Sequence, residues 1–249
     1  MKAIILAAGY ATRLYPLTLS MPKALLKVQG KAIIDHILAQ IEKVRDIDGI
    51  YVASNHKFAS HFDAWAKAAS SRLPIKVLDD GTTNEDDRLG AIGDIRFVLD
   101  TEKIDDEIVI IAGDNLFTFS LDEYADFYKA QGLDCVCVKR MADREALKSL
   151  GVAILDANSR VVELQEKPKE PKSDFAVFAT YMYKRDTLPL IRQYLDEGGK
   201  KDAPGFFVEW LCSRRPVCAY VMNGECYDIG TPAAYKQAQT LDLNIAEAL

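Results

Sequence analysis

The chain has 249 residues, 49% hydrophobic and 27% charged, an ordinary globular mix with enough length to bury a core unaided. Lys plus Arg number 31 against 37 Asp plus Glu, a formal charge of −6, which argues against nucleic acid as a partner and still admits a small phosphorylated ligand in a locally basic pocket. Apolar runs stay far short of the ~20 residues of a membrane helix, no small-residue cleavage site follows the N-terminus, and five cysteines without a C-x-x-C pair argue against zinc or a disulfide framework. The expectation is a cytoplasmic protein with reduced thiols, no nucleic acid and no membrane.

In chain order, Ala3–Ala8 is a short apolar run closed by Gly9, the pattern of a buried strand ending in a loop. From Lys31 to Val44, Ile33, Ile34, Ile37, Leu38, Ile41 and Val44 recur at helical spacing. Ile50–Ala53 predicts a strand, Phe58–Ala69 a helix, Ile75–Leu78 a strand, Leu89–Leu99 a helix and Glu107–Ala112 a buried strand. Strand alternating with helix predicts right-handed crossovers and a parallel sheet covered on both faces. Ligands of such sheets bind beyond the carboxyl ends of the strands, which directs attention to residues 9–23, 79–93 and 113–117. After about Leu133 the pattern changes to the strands around Val136 and Val138, Gly151–Leu155, Arg160–Leu164 and Phe175–Tyr183, then a helix over Thr187–Leu195. The expected architecture is a single α/β domain over 1–249, a three-layer Rossmann-like mixed sheet with helices on both faces. Residues 1–132 would form one half and 133–249 a second, which extends the same sheet and would carry a partner-substrate pocket.

The loop after the first strand carries the chemistry. Gly9 lets backbone N–H groups approach an anion, Arg13 can grip phosphate bidentately, and Lys23 supplies a compact point charge. Neither the dinucleotide fingerprint nor the P-loop fits this loop. The whole stretch Leu6-Ala7-Ala8-Gly9-Tyr10-Ala11-Thr12-Arg13-Leu14-Tyr15-Pro16-Leu17-Thr18, followed by Pro22-Lys23-Ala24-Leu25-Leu26, resembles the signature of the sugar-1-phosphate nucleotidyltransferases. That family includes the glucose-1-phosphate thymidylyl- and uridylyltransferases and mannose-1-phosphate guanylyltransferase. Later segments resemble its further motifs in order: Gly113-Asp114-Asn115, Glu166-Lys167-Pro168 and Asp228-Ile229-Gly230-Thr231.

The resemblance implies a GT-A-like nucleotidyltransferase fold and a reaction of an NTP with a sugar 1-phosphate, giving an NDP-sugar and pyrophosphate. It implies that Arg13 and Lys23 are catalytic, that Leu6, Ala7, Ala8, Gly9, Asp80 and Gly90 bind the nucleotide, and that Gly151, Glu166 and Lys167 bind the acceptor phosphate. Asp114 and Asp228 would hold Mg²⁺, whose preference for hard oxygen ligands suits two carboxylates completed by phosphate and water. Lys167, preceding a proline, is expected to be extended. The partners would be small-molecule substrates.

Three features depart from the family pattern. The acidic run 79–88 stands where relatives read the base, and Asp79 or Asp80 would suit an amino-bearing base unless the run is only a solvated loop. Phe178-Ala179 replaces a Thr-Gly pair along the sugar, so phosphocholine, read by acidic and aromatic groups, is an alternative acceptor for a cytidylyltransferase. The short C-terminal stretch, with one amphipathic segment over 232–249, favours a monomer or homodimer. Phe206, Phe207 and Trp210 have the spacing of core aromatics, Cys135 and Cys137 read as inert core thiols, and His36 reads as a surface histidine. Two rival functions are a catalytically silent nucleotide sensor, which has no reason to keep all five of Arg13, Lys23, Asp114, Lys167 and Asp228, and a glycosyltransferase, which usually carries D-x-D where Asn115-Leu116 follow Asp114.

Overall fold

Strand β1 (Lys2–Leu6) buries Ala3, Ile4 and Ile5 completely, as a strand covered on both faces must. It belongs to a computed structural model that describes residues 1–243. A small hairpin of β2 (Lys27–Val28) and β3 (Lys31–Ala32) precedes helix α1 (Ile33–Ile41). Then come β4 (Gly49–Ser54), α2 (Ala59–Ala68), β5 (Ile75–Asp79), α3 (Ala91–Glu102) and β6 (Ile108–Ala112). The next elements are β7 (Asn115–Phe117), α4 (Leu121–Gln131), β8 (Asp134–Arg140), α5 (Arg144–Leu147), β9 (Gly151–Leu155), β10 (Val161–Glu166) and β11 (Phe175–Tyr183). The last are α6 (Leu188–Asp196), α7 (Pro204–Cys212), β12 (Val217–Val221), β13 (Cys226–Asp228) and α8 (Pro232–Ala238). The remainder of the expected 232–249 segment lies outside the described residues.

Among the described residues nine strands form one sheet in the order β10-β9-β11-β6-β1-β4-β5, with β8 beside β11 and β12 beside β8. β1, β4, β5 and β6 run parallel, and β11 joins β6 antiparallel. Alternate side chains separate the two faces, as the two-residue period of a strand requires. Ala3, Ile5, Val109 and Ile111 pack against α1, α2 and α4, whereas Ile4, Ile108 and Ile110 pack against α3, α6 and α7. The result is the three-layer α/β fold. No helix among the described residues is long and apolar enough to cross a membrane.

Four local features differ from expectation. Helix α3 starts at Ala91 because its N-cap, Gly90, takes a positive φ of 79°. Helix α4 falls in a stretch that carries no sequence assignment; the Ser120 side chain accepts from Glu123 N at its start and a left-handed Gly132 stops it. Cys135 is not a free thiol: β8 and β12 place it opposite Cys218, Cα to Cα 4.8 Å, and the two are joined as a disulfide. His36 is half-buried, with its Nε2 3.1 Å from the Val28 carbonyl oxygen.

Candidate active site

The loops leaving the carboxyl ends of β1, β5 and β6 enclose a cavity of about 260 Å³. Leu6, Ala7, Gly9, Tyr10, Ala11, Thr12 and Arg13 form one wall, Lys23 and Ala24 a second, and Gly113-Asp114 the floor. The loop is anchored by Leu14, fully buried, and by the Thr18 hydroxyl, which donates to the Ala11 carbonyl at 2.8 Å. Gly113 closes onto β1, its N–H donating to the Leu6 carbonyl at 2.8 Å; a Cβ there would sit 2.9 Å from that oxygen, so only glycine permits the approach.

At the floor, the Lys23 ammonium donates to Asp114 Oδ2 at 2.7 Å and to Asp228 Oδ1 at 3.3 Å. Asp114 follows β6 and Asp228 ends β13; the β7–β13 pairing, with Asp228 opposite Asn115, brings the two together across more than a hundred residues of chain. A Cβ on Gly230 would lie 3.1 Å from Asp228 Oδ2 and 3.2 Å from Arg13 Nη2, which puts the Arg13 guanidinium at the same centre. Two carboxylate oxygens converging on one cation are the hard donor set that suits Mg²⁺. Among the described residues no cluster of three or more His, Cys, Asp or Glu side chains is placed to hold a metal ion, so phosphate and water oxygens would complete the coordination.

A second cavity, about 230 Å³, lies on the other side of Asp114, which lines both. Gly151, Glu166, Phe178, Ala179, Tyr181, Gly205 and Asp228 are among its walls. Burial raises the Glu166 carboxyl above the ordinary range and nearby Glu209 raises it further, while Lys167 opposes the rise. Phe207 is buried in the core, and neither it nor Phe206 or Trp210 lines the cavity.

The structure brings Leu6, Ala7, Gly9, Arg13, Lys23 and Asp114 to the first cavity and Gly151, Glu166, Asp114 and Asp228 to the second. Ala8, Asp80, Gly90 and Lys167 line neither. The Ala8 carbonyl is held by Asn55 Nδ2 at 2.8 Å. Lys167 is exposed and, contrary to the expected extended conformation, has a φ of +50°, with its N–H held by the Leu150 carbonyl at 3.0 Å. That hydrogen bond overrides the local preference imposed by the following proline. The acidic run mostly satisfies its own backbone: Asp87 accepts from Thr83 N and Asn84 N, and Asp79 accepts from Gly81 N and meets His56 Nδ1 at 2.6 Å. Glu85 and Arg88, paired at 2.5 Å, are the members of that run that reach the cavity. No motif marked them; an oppositely charged pair three residues apart was the available signal.

The sequence pattern of the nucleotidyl transferase family matches residues 2–245. The chain belongs to that family. The bifunctional protein GlmU of Methanocaldococcus jannaschii is 32% identical over 235 residues, 93% of this chain and 52% of that protein. The mannose-1-phosphate guanylyltransferase of Mycobacterium tuberculosis is 26% identical over 92% of this chain and 61% of its own length. The chain thus spans about half to three-fifths of these relatives. A Bacillus anthracis structure, assigned as a glucose-1-phosphate thymidylyltransferase and solved with sucrose, superposes with a TM-score of 0.79 at 25% identity, covering 100% of this chain and 98% of that one. An apo UDP-glucose pyrophosphorylase, 18% identical with a TM-score of 0.78 over 96% of both chains, shares the fold.

Proposed function

We propose that this chain catalyses nucleotidyl transfer, in which a sugar 1-phosphate and an NTP give an NDP-sugar and pyrophosphate. The observation that carries this reading is the meeting of two cavities at one residue, Asp114. The first is lined entirely by residues up to 114, with Arg13, Lys23 and Arg88 as its cations; the second is lined by residues from 112 onward, as a nucleotide half and an acceptor half require. The names of the relatives, which transfer nucleotidyl groups to sugar phosphates, support the same reaction.

In this mechanism a phosphate oxygen of the acceptor attacks the α-phosphorus of the NTP, the bond to the β-phosphate oxygen breaks, and pyrophosphate leaves with that electron pair. A phosphate monoester is already anionic at neutral pH, so positioning and charge neutralisation supply the catalysis. Arg13 and Lys23 bind the triphosphate; Lys23 turns from the two carboxylates to the phosphate oxygens. Glu166 accepts from acceptor hydroxyls, and Lys167, exposed beside it and outside the cavity lining, would have to turn inward to meet the acceptor phosphate. Mg²⁺, held by Asp114 and Asp228, would add neutralisation of phosphate charge.

One observation favours a second acceptor class. Glu166, the carboxylate of the second cavity that lies outside the Lys23–Asp114–Asp228 cluster, and Phe178, an aromatic wall, form a lining that suits the quaternary ammonium of phosphocholine. Pyrophosphate release with Mg²⁺ tests both, with ATP, CTP, GTP, UTP and dTTP each paired with glucose 1-phosphate, mannose 1-phosphate and phosphocholine. Release in one pairing supports the reading and names the substrates; silence in all pairings, with no nucleotide bound in calorimetry, refutes it.

A further inference from the structure

Behind the first cavity, a chain of hydrogen bonds runs from its wall into the protein. The Tyr10 hydroxyl, on a side chain that lines the cavity, donates to Thr82 Oγ1 at 3.3 Å. Thr82 in turn donates to Asp80 Oδ1 from both its hydroxyl and its backbone N–H, each at 2.7 Å. The chain ends on two carboxyl oxygens, Asp80 Oδ2 and Asp94 Oδ1, both fully buried and both without a donor among the described residues. Asp94 as a whole is 7% exposed, and the two carboxyl groups lie close enough that each shifts the other's titration.

Two ionised carboxylates only accept hydrogen bonds. Burying them against each other unpaired leaves two charges and two unsatisfied oxygens, and one proton removes both penalties. We infer that Asp80 and Asp94 share a single proton, and that this acid pair holds Thr82, Tyr10 and the loop 81–88 against the nucleotide, making Asp94 a positioning residue for nucleotide binding. This rests on the first cavity being the nucleotide site.

The groups facing the pair are Asp79 at the end of β5, which disfavours a second charge, and Lys201 before α7, which favours one. Tyr10 faces it from the loop after β1. Lys201 also donates to the Arg88 carbonyl at 3.0 Å, tying the far end of the loop to the same neighbourhood. Burial dominates: it pushes the Asp94 carboxyl up to about 8, with the Asp80 charge as the next cause, and the proton belongs to the pair rather than to one member. Above that pH the pair carries two like charges, Asp80 and Asp94 separate, and the wall they support loosens.

The test is calorimetric binding of ATP, CTP, GTP, UTP and dTTP, without acceptor, at pH 7 and pH 9, to the wild type and to Asp94→Asn. The amide donates to Asp80 as the protonated acid does and has no proton to lose. For the nucleotide that binds, a required proton titrating near 8 weakens wild-type affinity by up to about tenfold between the two pH values. Asp94→Asn binds within about threefold of wild type at pH 7 and loses less than about twofold on going to pH 9. Titrations of nucleotide and lysine are common to both proteins, so the difference between the profiles reads the pair. Parallel profiles would overturn the inference, as would loss of binding in the variant at pH 7 with the wild-type pH dependence retained. If Asp94→Asn does not fold, the wild-type protein decides: affinity unchanged between pH 7 and pH 9, together with a ligand-free melting temperature unchanged between them, overturns the inference. If the wild type binds none of the five nucleotides, the cavity assignment and the positioning role both fall. The shared proton is then read from ligand-free melting, which drops from pH 7 to pH 9 in the wild type and not in Asp94→Asn.

Discussion

Replacing Gly205 with alanine drives a methyl group into the Glu166 carboxylate of the second cavity, the proposed acceptor site. A Cβ built there lies 1.9 Å from Glu166 Oε2 and 3.0 Å from its Cδ, well inside contact distance. The atoms it meets are the far end of a flexible side chain, so Glu166 yields and the backbone stays. Leaving its rotamer costs about 0.5–1.5 kcal/mol, and losing a hydrogen bond from a charged group to the acceptor costs about 1.5–3 kcal/mol. The rotamer cost is paid already in the free enzyme, so the lost hydrogen bond alone, about 1.5–3 kcal/mol, sets the effect: a fall of roughly 10- to 150-fold in kcat/KM for the acceptor. Stability should stay within about 1 kcal/mol of wild type, because the rotamer cost is set against a helix preference for alanine over glycine of at most about 1 kcal/mol, and Gly205 lies in the first turn of α7. The assay is the initial rate of pyrophosphate release against acceptor concentration at saturating nucleotide, with the reciprocal series and a thermal melt as controls. An unchanged acceptor kcat/KM, or a nucleotide KM that rises as much as the acceptor's, refutes the placement of Glu166 in the acceptor cavity.

Lys23→Ala should lower turnover by about 10²–10³, the usual cost of removing one preorganised charge partner of a reacting phosphate or oxyanion, with circular dichroism unchanged. Chelation with EDTA should abolish pyrophosphate release and added Mg²⁺ restore it; activity undiminished by EDTA contradicts a metal role for Asp114 and Asp228. Because burial raises the Glu166 carboxyl, acceptor kcat/KM should fall as pH drops through a titration above the ordinary carboxylate range, where protonation removes the charge. In Glu166→Gln that limb of the pH–rate profile should vanish. Arg88→Ala, which removes a cation from the first cavity, should raise the nucleotide KM several-fold and leave the acceptor KM in place.

The sheet was legible because its strands alternate with helices and are apolar on both faces; β9 (Gly151–Leu155) and β11 (Phe175–Tyr183) fall where their apolar runs fall. Helix α4 was less so, although Ser120, Glu123 and Gly132 carry the start and stop signals, because its apolar positions are interrupted by Asp122, Glu123, Asp126 and Lys129. The residues of the site that lie in motifs, such as Lys23, Asp114 and Asp228, could be named from the resemblance of those motifs to a known family. Their convergence depends on β13 pairing with β7, a contact between segments distant in sequence. The acidic run shows what local composition conceals. Asp80 looks like a solvated loop residue, yet its Oδ2 is buried without a donor and its carboxyl group acts on that of Asp94, fourteen positions further along. The Cys135–Cys218 pairing likewise depends on parallel β8 and β12 meeting in register, which no local pattern encodes.

The central claim is that a phosphorylated acceptor in the second cavity attacks the α-phosphorus of a nucleotide in the first. The most direct measurement follows separate labels in the nucleotide, one at the α-phosphate and one at the γ-phosphate, through a turnover with the acceptor that supports pyrophosphate release. The account predicts that the α-label appears in a nucleotide-linked acceptor and the γ-label in pyrophosphate, in equal amounts. Transfer of the γ-label to the acceptor, or release of the γ-label as inorganic phosphate with no α-labelled product, would contradict it.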